Sequence, residues 1–348
     1  MEKANVDVAT ILSAATGVLK SSGLDDAMAL TVAETLVQAD MTGHHTHGLQ
    51  LLPYYLNELE TGGMAKSGNV QVVRDDGASF FWCAKRLPGA WVLRQAIETM
   101  IERSAKRPVV TASISECFHI GSLQTYLSTA TDRGLVCIVS ATDPSVASVA
   151  PFGGTEPILT SNPVAFGIPT SYEPILVDLC TSVTSNSAMM GHLNEGTRPK
   201  SECLLDNEGN ATNDPQVLKT DPPGTIMPLG GEDFGYKGFG LGLVVEALTL
   251  ALSGYGRNAG HRAYGEGVFL QIINPDYFAG RLVFEREMSN LVERCKNSRV
   301  PAGGAPVRMP GQRAQELHRE ARNSGVRVTA SILSLLEPWI SSSPCASH

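Results

Sequence analysis

Between residues 70 and 273 the chain alternates short β-type runs with helical segments, and no other feature constrains its fold so tightly. Val70-Gln71-Val72-Val73, Phe80-Phe81-Trp82 and the run from Val109 to Ile114 are rich in β-branched and aromatic residues, which suit a pleated, half-buried surface. A helix is predicted over 90–103, and a second over 121–132, ahead of a strand from Leu135 to Ser140. Pro163 to Pro169, Ile175 to Asp178 and Val268 to Ile273 complete the strand-like runs. Strands interleaved with helices predict an α/β core.

Both ends of the chain read differently. Asp25 and Asp26 can cap a helix whose apolar residues Ala29, Val32, Ala33, Leu36 and Val37 recur at helical spacing. Leu49, Leu52, Leu56 and Leu59 form a second stripe, with Pro53 early in it and Gly62-Gly63 as its stop. The tail from 280 onward returns to amphipathic helix, broken at Pro310-Gly311. At 348 residues the chain is long for one core, so we expect a discontinuous helical outer domain (1–70 and 280–348) around an α/β core (71–279). Residues 191–235, rich in Gly, Pro, Asn and Asp, are predicted to be mostly loop, and Gly238 to Ser253 a nearly all-apolar, buried helix.

Composition excludes several classes. With 43% hydrophobic and 18% charged residues and a net charge of −8, there is no basic stripe for nucleic acid. No apolar stretch was expected to be long enough to span a bilayer. The amino-terminal residues show no secretory pattern. Seven widely spaced cysteines, at 83, 117, 137, 180, 203, 295 and 345, lack metal-knuckle or redox spacing. The expectation is a cytoplasmic protein with reduced thiols, no nucleic-acid or membrane partner, and a small-molecule substrate.

The run Gly43-His44-His45-Thr46-His47-Gly48 carries the chemistry. Imidazole is the side chain best matched to proton transfer near neutral pH. The three histidines could bind zinc, but no carboxylate or further histidine follows at ligand spacing and no His-Glu-x-x-His occurs. We therefore expect no metal and catalysis by at least one histidine, with solvated loop residues as the other reading. No Gly-x-Ser-x-Gly elbow is present. Gly238-x-Gly240-x-Gly242 and the glycines from 254 to 260 lack the spacing or preceding strand of a dinucleotide fingerprint. His119 follows the β-run ending near Ile114, a position where ligands bind but where buried structural histidines are equally at home.

Taken together, these stretches resemble the type 2 malate/L-lactate dehydrogenase family over about residues 8–336. The resemblance rests on Gly43 to Gly48, His119-Ile120-Gly121, Pro151 to Gly154, Thr160 to Pro163, Val177 to Ser182, Asp214-Pro215, Pro228 to Gly231, Tyr236-Lys237-Gly238 and Val307 to Gly311, in that order. It implies a nicotinamide cofactor, NAD or NADP, on a non-Rossmann core, and hydride transfer at the carbon next to a carboxylate. The substrate it implies is a small 2-oxo or 2-hydroxy acid, or a cyclic 2-imino acid. Carried over by position, His47 and His119 are the candidate proton-transfer residues. Thr46 either contacts substrate or caps the helix expected to begin there. For the cofactor the resemblance points to Thr142, Asp178, Leu179, Cys180, Lys237, Gly311, Gln312 and Arg313. Lys237 and Arg313 would face its phosphates, although Arg313 also reads as an ordinary helix-start charge and Asp178 as a strand-end turn residue. The resemblance also implies a homodimer, for which the apolar helical ends are suited.

Leu51 departs from the family pattern, which often places an arginine there to clamp the substrate carboxylate. On a continuous helix His47, Leu51 and Tyr55 would share one face, and Leu51 cannot pair a carboxylate. Either the substrate is less acidic on that side, or another group such as Tyr55 holds its carboxylate, or the protein is a non-catalytic cofactor-binding relative. A smaller departure, Cys117-Phe118 before His119, is expected to narrow the pocket.

Overall fold

The computed structural model describes residues 3–261 and 264–340. Cys345 and the last residues of the expected outer domain lie outside the described residues.

The chain opens with β1 (Lys3–Val6) and two helices, α1 (Val8–Ser21) and α2 (Asp26–Met41). The carboxylate of Asp7 caps α1 by accepting from Thr10 N, and that of Asp25 caps α2 by accepting from Ala27 N and Met28 N. Ile11, Ala15, Leu19, Ala29, Ala33 and Leu36 are essentially fully buried between them; each buried leucine or isoleucine contributes roughly 1.5–3 kcal/mol. Two short 3-10 turns, His45–His47 and Leu49–Leu51, then lead into α3 (Leu52–Thr61), which Gly62 ends in the left-handed region.

Seven strands form the main sheet: β2 (Gln71–Asp75), β3 (Ser79–Cys83), β4 (Val109–Cys117), β5 (Val136–Thr142), β6 (Val164–Ile168), β7 (Ile175–Leu179) and β11 (Glu266–Ile273). Their order is β2-β3-β4-β11-β5-β6-β7. Only β3 and β4 run parallel among the described pairs; every other neighbour in this sheet is antiparallel. The fold is mixed α/β. Helices α4 (Gly89–Ser104) and α5 (Gln124–Thr131) supply the crossovers expected from sequence.

The stretch from 186 to 230 is more ordered than its composition predicts. It holds α6 (Asn186–Glu195) and a small sheet of β8 (Leu204–Leu205), β9 (Ala211–Thr212) and β10 (Thr225–Ile226). Val149, Leu159, Met189, Leu204 and Ile226 make a second, smaller core there.

Helix α7 (Gly231–Glu246) continues through a π segment over 247–251. The expectation that this segment is buried is corrected: Leu241, Leu243, Val244 and Leu252 are about half exposed. Glycines give the helix one face that approaches neighbouring backbone closely, so its bulkier apolar residues are left on the other. Gly231–Ala251 is also, by length and composition alone, the one described helix apolar enough to cross a membrane, at mean hydropathy 1.2. The sequence reading had expected none.

The remaining elements are α8 (Arg281–Lys296), α9 (Gln312–Ser324), β12 (Val326–Thr329) and α10 (Ala330–Ile340). The two chain ends meet: β1 pairs with β12, and Trp339 of α10 lies on Gly17 of α1. Their apolar residues run without a break into the core under the sheet, from Ile11 through Val110 to Leu336. Helix α8 sits elsewhere, with Ser289 accepting from the backbone N–H of Ser171 and Arg281 donating to the Arg133 carbonyl while packing against Gly134.

Candidate active site

The centre of the sheet builds one end of a cavity of about 830 Å³. Strand β11 lies between β4 and β5, with Glu266 opposite Cys117 and Gly267 opposite Thr142. A register shift between Glu266 and Val268 bulges the strand there, and such bulges re-aim side chains. The start of β11 and the ends of β4 and β5 thus bring Glu266, His119 and Thr142-Asp143 to one wall. The end of β7 adds Asp178, Leu179 and Cys180, and the first turn of α6 adds Ser185, Asn186 and Ser187.

The opposite wall is the histidine turn. His47 and His119 stack with ring centroids 5.9 Å apart and planes 12° from parallel. Burial holds His47 down at about 4, helped by His44, and His119 down at about 3, helped by His47. Both rings are therefore neutral at ordinary pH. Nδ1 of His119 is 2.7 Å from the hydroxyl of Tyr55, and Nδ1 of His47 is 3.1 Å from Oγ1 of Thr46. Gly89, at the start of α4, lets the backbone of Phe118 and His119 approach; an added Cβ would sit 2.3 Å from the Phe118 carbonyl oxygen.

The turn itself is fixed from α2. The carboxylate of Asp40 accepts from Leu49 N at 2.7 Å and faces Nδ1 of His45 at 2.8 Å. A Cβ on Gly48 would fall 2.3–2.5 Å from that carboxylate, so only glycine allows this contact. The three clustered histidines consequently diverge: His45 turns to Asp40, His44 to Gln124 at 3.3 Å, and His47 to the cavity.

Several sequence expectations need correction here. Gly48 separates two 3-10 turns, so His47, Leu51 and Tyr55 do not share one continuous helix face. His47 and Leu51 both line the cavity, but Tyr55 is 3% exposed and lies behind His119. Its hydroxyl is held by that histidine and is not offered to a ligand. Thr46 lines the cavity without capping a helix. Cys117 and Phe118 are fully buried behind the wall and do not narrow the cavity.

Thr142, Asp178, Leu179 and Cys180 line the same cavity as the histidines. Lys237, Gly311, Gln312 and Arg313 do not. Lys237 lies over the Phe234 and Tyr236 rings, and Arg313 faces Glu316 and Glu320 at the surface. Gly311 packs on Leu176, and Gln312 binds Glu316.

Sequence reasoning missed Tyr54, Asp143, Tyr264 and Glu266, all of which line the cavity. Glu266 is 7% exposed; its carboxyl accepts from Ile120 N at 3.0 Å and from the Tyr264 hydroxyl at 2.5 Å. Burial raises it to about 8. A glutamate opening a strongly apolar strand was the available signal. Burial likewise raises Asp178 and Asp143. Behind Thr142, Asn162 accepts from the threonine hydroxyl and donates to Glu246, which pairs with Arg257; Arg257 in turn binds the Val146 carbonyl at 2.6 Å.

A family model described as malate/L-lactate dehydrogenase matches residues 6–337. L-sulfolactate dehydrogenase of Methanocaldococcus jannaschii is 27% identical over 330 residues, 92% of each chain. The NAD(+)-dependent ureidoglycolate dehydrogenase of Escherichia coli O157:H7 is 27% identical over 329 residues, 91% of this chain and 90% of its own. Malate dehydrogenase from Entamoeba histolytica shares the fold, with a TM-score of 0.92 over 99% of this chain and 100% of its own at 22% identity.

Proposed function

The chain belongs to the malate/L-lactate dehydrogenase family and is a nicotinamide-dependent dehydrogenase or reductase; from that premise we propose that it moves hydride between NAD(P) and a small 2-oxo or 2-hydroxy acid, or a cyclic 2-imino acid, inside the 830 Å³ cavity. The observation that carries this reading is the stacked pair of His47 and His119 in that cavity, with Tyr55 fixing one ring from behind.

The donor set fits a nicotinamide dinucleotide. The cavity lies within the size range of ligand sites, and the first turn of α6 presents backbone N–H groups beside Ser185, Asn186 and Ser187. Such a helix start suits a pyrophosphate. Thr142, Asp178, Leu179 and Cys180 would wall the nicotinamide side on a core whose sheet is mostly antiparallel, consistent with a non-Rossmann mode of binding. When bound, the nicotinamide supplies or accepts the hydride.

The protein then has to orient the substrate, exclude water and handle one proton. In the tautomer where the Tyr55 hydroxyl donates to Nδ1, His119 carries its proton on Nε2 and presents it to the cavity. That N–H stabilises negative charge developing on a substrate oxygen during reduction. In the oxidation direction the other neutral tautomer, with Nδ1–H donating to the Tyr55 hydroxyl and Nε2 free, accepts the hydroxyl proton. A substrate carboxylate beside the two rings favours their protonated forms and lifts both from their low values. The substrate therefore brings the acid–base group into range.

A non-catalytic relative, suggested by Leu51 alone, is not favoured. The same reading pairs two copies of the chain, and the surface suited to it is not the helical ends, which pack on each other, but the exposed apolar side of α7 with Leu241, Val244 and Leu252. Sedimentation of the purified protein tests that pairing. The activity is tested by following oxidation of NADH and NADPH with a panel of 2-oxo acids and cyclic imino acids. Steady consumption of reduced cofactor with at least one acid is expected; no consumption by folded protein would contradict the proposal.

A further inference from the structure

We propose that Glu266, with the rings of Tyr54 and Tyr264, is the specificity group of this cavity and reads a positively charged nitrogen on the substrate. The inference rests on the dehydrogenase reading above and names the substrate class within it.

Four observations converge. First, Glu266, Tyr54 and Tyr264 all line the cavity that holds His47 and His119. The Tyr264 ring meets the His119 ring edge-on at 5.8 Å and the Tyr54 ring at 6.4 Å, so the aromatic pair stands beside the reacting position. Second, the carboxyl of Glu266 uses one acceptor site for Ile120 N and one for Tyr264. A carboxylate offers about four such sites, which leaves capacity for a donor entering from the cavity. Aromatic faces next to a carboxylate are a recognition surface for ammonium, guanidinium and iminium groups. Third, two further carboxyls, Asp143 and Asp178, line the same cavity, whereas among its described residues there is no lysine or arginine and the basic side chains are the imidazoles of His44, His47 and His119. The nearest guanidiniums are already engaged: Arg257 with Glu246 and the carbonyls of Pro144 and Val146, Arg86 with the carbonyls of Gly63 and Tyr264. Fourth, Leu51 lines the cavity as an apolar side chain that cannot pair a carboxylate.

A second acid group on the substrate would therefore meet carboxyls and a leucine, while a protonated nitrogen would meet two rings and Glu266. Burial keeps the empty site's Glu266 protonated toward neutrality, and an entering cation favours its ionised form, so the charge is created where it is used. The nitrogen can be the reacting iminium itself or an ammonium or guanidinium on the side chain of a 2-oxo acid. For an iminium the step balances without an external acid: hydride adds to carbon, the C=N π pair becomes the nitrogen lone pair, and the nicotinamide is oxidised. For a 2-oxo acid the new alkoxide takes its proton from His119 once the bound substrate carboxylate has favoured that ring's protonated form, and the ring is left neutral.

The test compares kcat/KM of the full-length protein for four substrates: oxaloacetate, 2-oxobutyrate, 2-oxo-5-guanidinopentanoate and a cyclic 2-iminium acid. Wild type is expected to prefer one or both cationic substrates over 2-oxobutyrate and to disfavour oxaloacetate; which cation wins tells iminium from side-chain nitrogen. Glu266→Gln is expected to lower kcat/KM for the cationic substrate about 10- to 100-fold, the range for a hydrogen bond to a charged group, while 2-oxobutyrate changes far less. Should that variant fail to fold, the wild-type ranking and Leu51→Arg decide, the latter shifting preference toward oxaloacetate. Preference for oxaloacetate or 2-oxobutyrate by wild type overturns the assignment while leaving the dehydrogenase intact. So does a Glu266→Gln loss confined to the KM of the nicotinamide. No oxidation of either reduced cofactor by any substrate overturns both.

Discussion

The hydroxyl of Tyr55 lies 2.7 Å from Nδ1 of His119, buried on the far side of the ring from the cavity. That contact selects which ring nitrogen faces the substrate, and it makes Tyr55 a positioning residue. Tyr55→Phe is expected to lower kcat about tenfold or more with little change in substrate KM, and to destabilise the fold by about 1 kcal/mol. Steady-state kinetics and thermal melts check both parts. A change confined to KM would contradict the positioning role.

Stability should depend on pH through the buried groups of the cavity, of which three are shifted far. His47 and His119 are held at about 4 and about 3, below the ordinary 6.5, by burial. The unfolded chain takes up protons as pH falls below 6.5 and the folded one does not, so stability drops on the acid side. Glu266 is raised to about 8 from 4.5. Its contribution is complete below 4.5 and is lost as pH rises through 8. Burial also raises Asp143 and Asp178, in the same sense as Glu266 and against the histidines, so the melting temperature is expected to fall as pH rises from 6.5 through 8, where only the carboxyls act. Glu266→Gln should flatten the alkaline fall; melting curves from pH 4 to 9 decide.

The histidine turn depends on Asp40 and Gly48. Asp40→Ala leaves the Leu49 N–H and His45 without their acceptor, and a loss of about 2–3 kcal/mol in denaturant unfolding is expected. Gly48→Ala should act in the same direction, because the new Cβ meets the Asp40 carboxylate. In both variants activity is expected to fall more than stability, since His47 sits on the displaced turn.

Much of the fold was legible because the strand runs and helix caps are local signals: Asp25 and Gly62 bound their helices as expected, and seven strand runs fall within the main sheet's observed strands or overlap them. The strand direction was not legible, since antiparallel pairing at the centre depends on where β11, the last of this sheet's strands in the chain, inserts between β4 and β5. Spacing suggested a helix face shared by His47, Leu51 and Tyr55, yet Gly48 breaks it to admit Asp40, a contact from another helix. Lys237 and Arg313 carried the right charge for phosphate but lie away from the cavity. Glu266 was missed because its one local signal, a carboxyl opening a strongly apolar strand, fits an exposed strand end equally well.

The chain from Thr142 through Asn162 and Glu246 to Arg257 ties the proposed nicotinamide wall to the loop at Val146. Arg257→Met is expected to raise the nicotinamide KM about tenfold while leaving the substrate KM nearly unchanged. Titration of the cofactor at fixed substrate checks this, and an equal rise in both constants would contradict it.

Hydride transfer itself can be read from the product. With reduced nicotinamide carrying deuterium at the transferring carbon, mass spectrometry of the product is expected to find the label on the former carbonyl or imine carbon, and for a 2-oxo acid the yield of labelled product should fall sharply with His119→Ala. Product without deuterium, or cofactor left unconsumed by folded protein across the substrate panel, would contradict hydride transfer in this cavity.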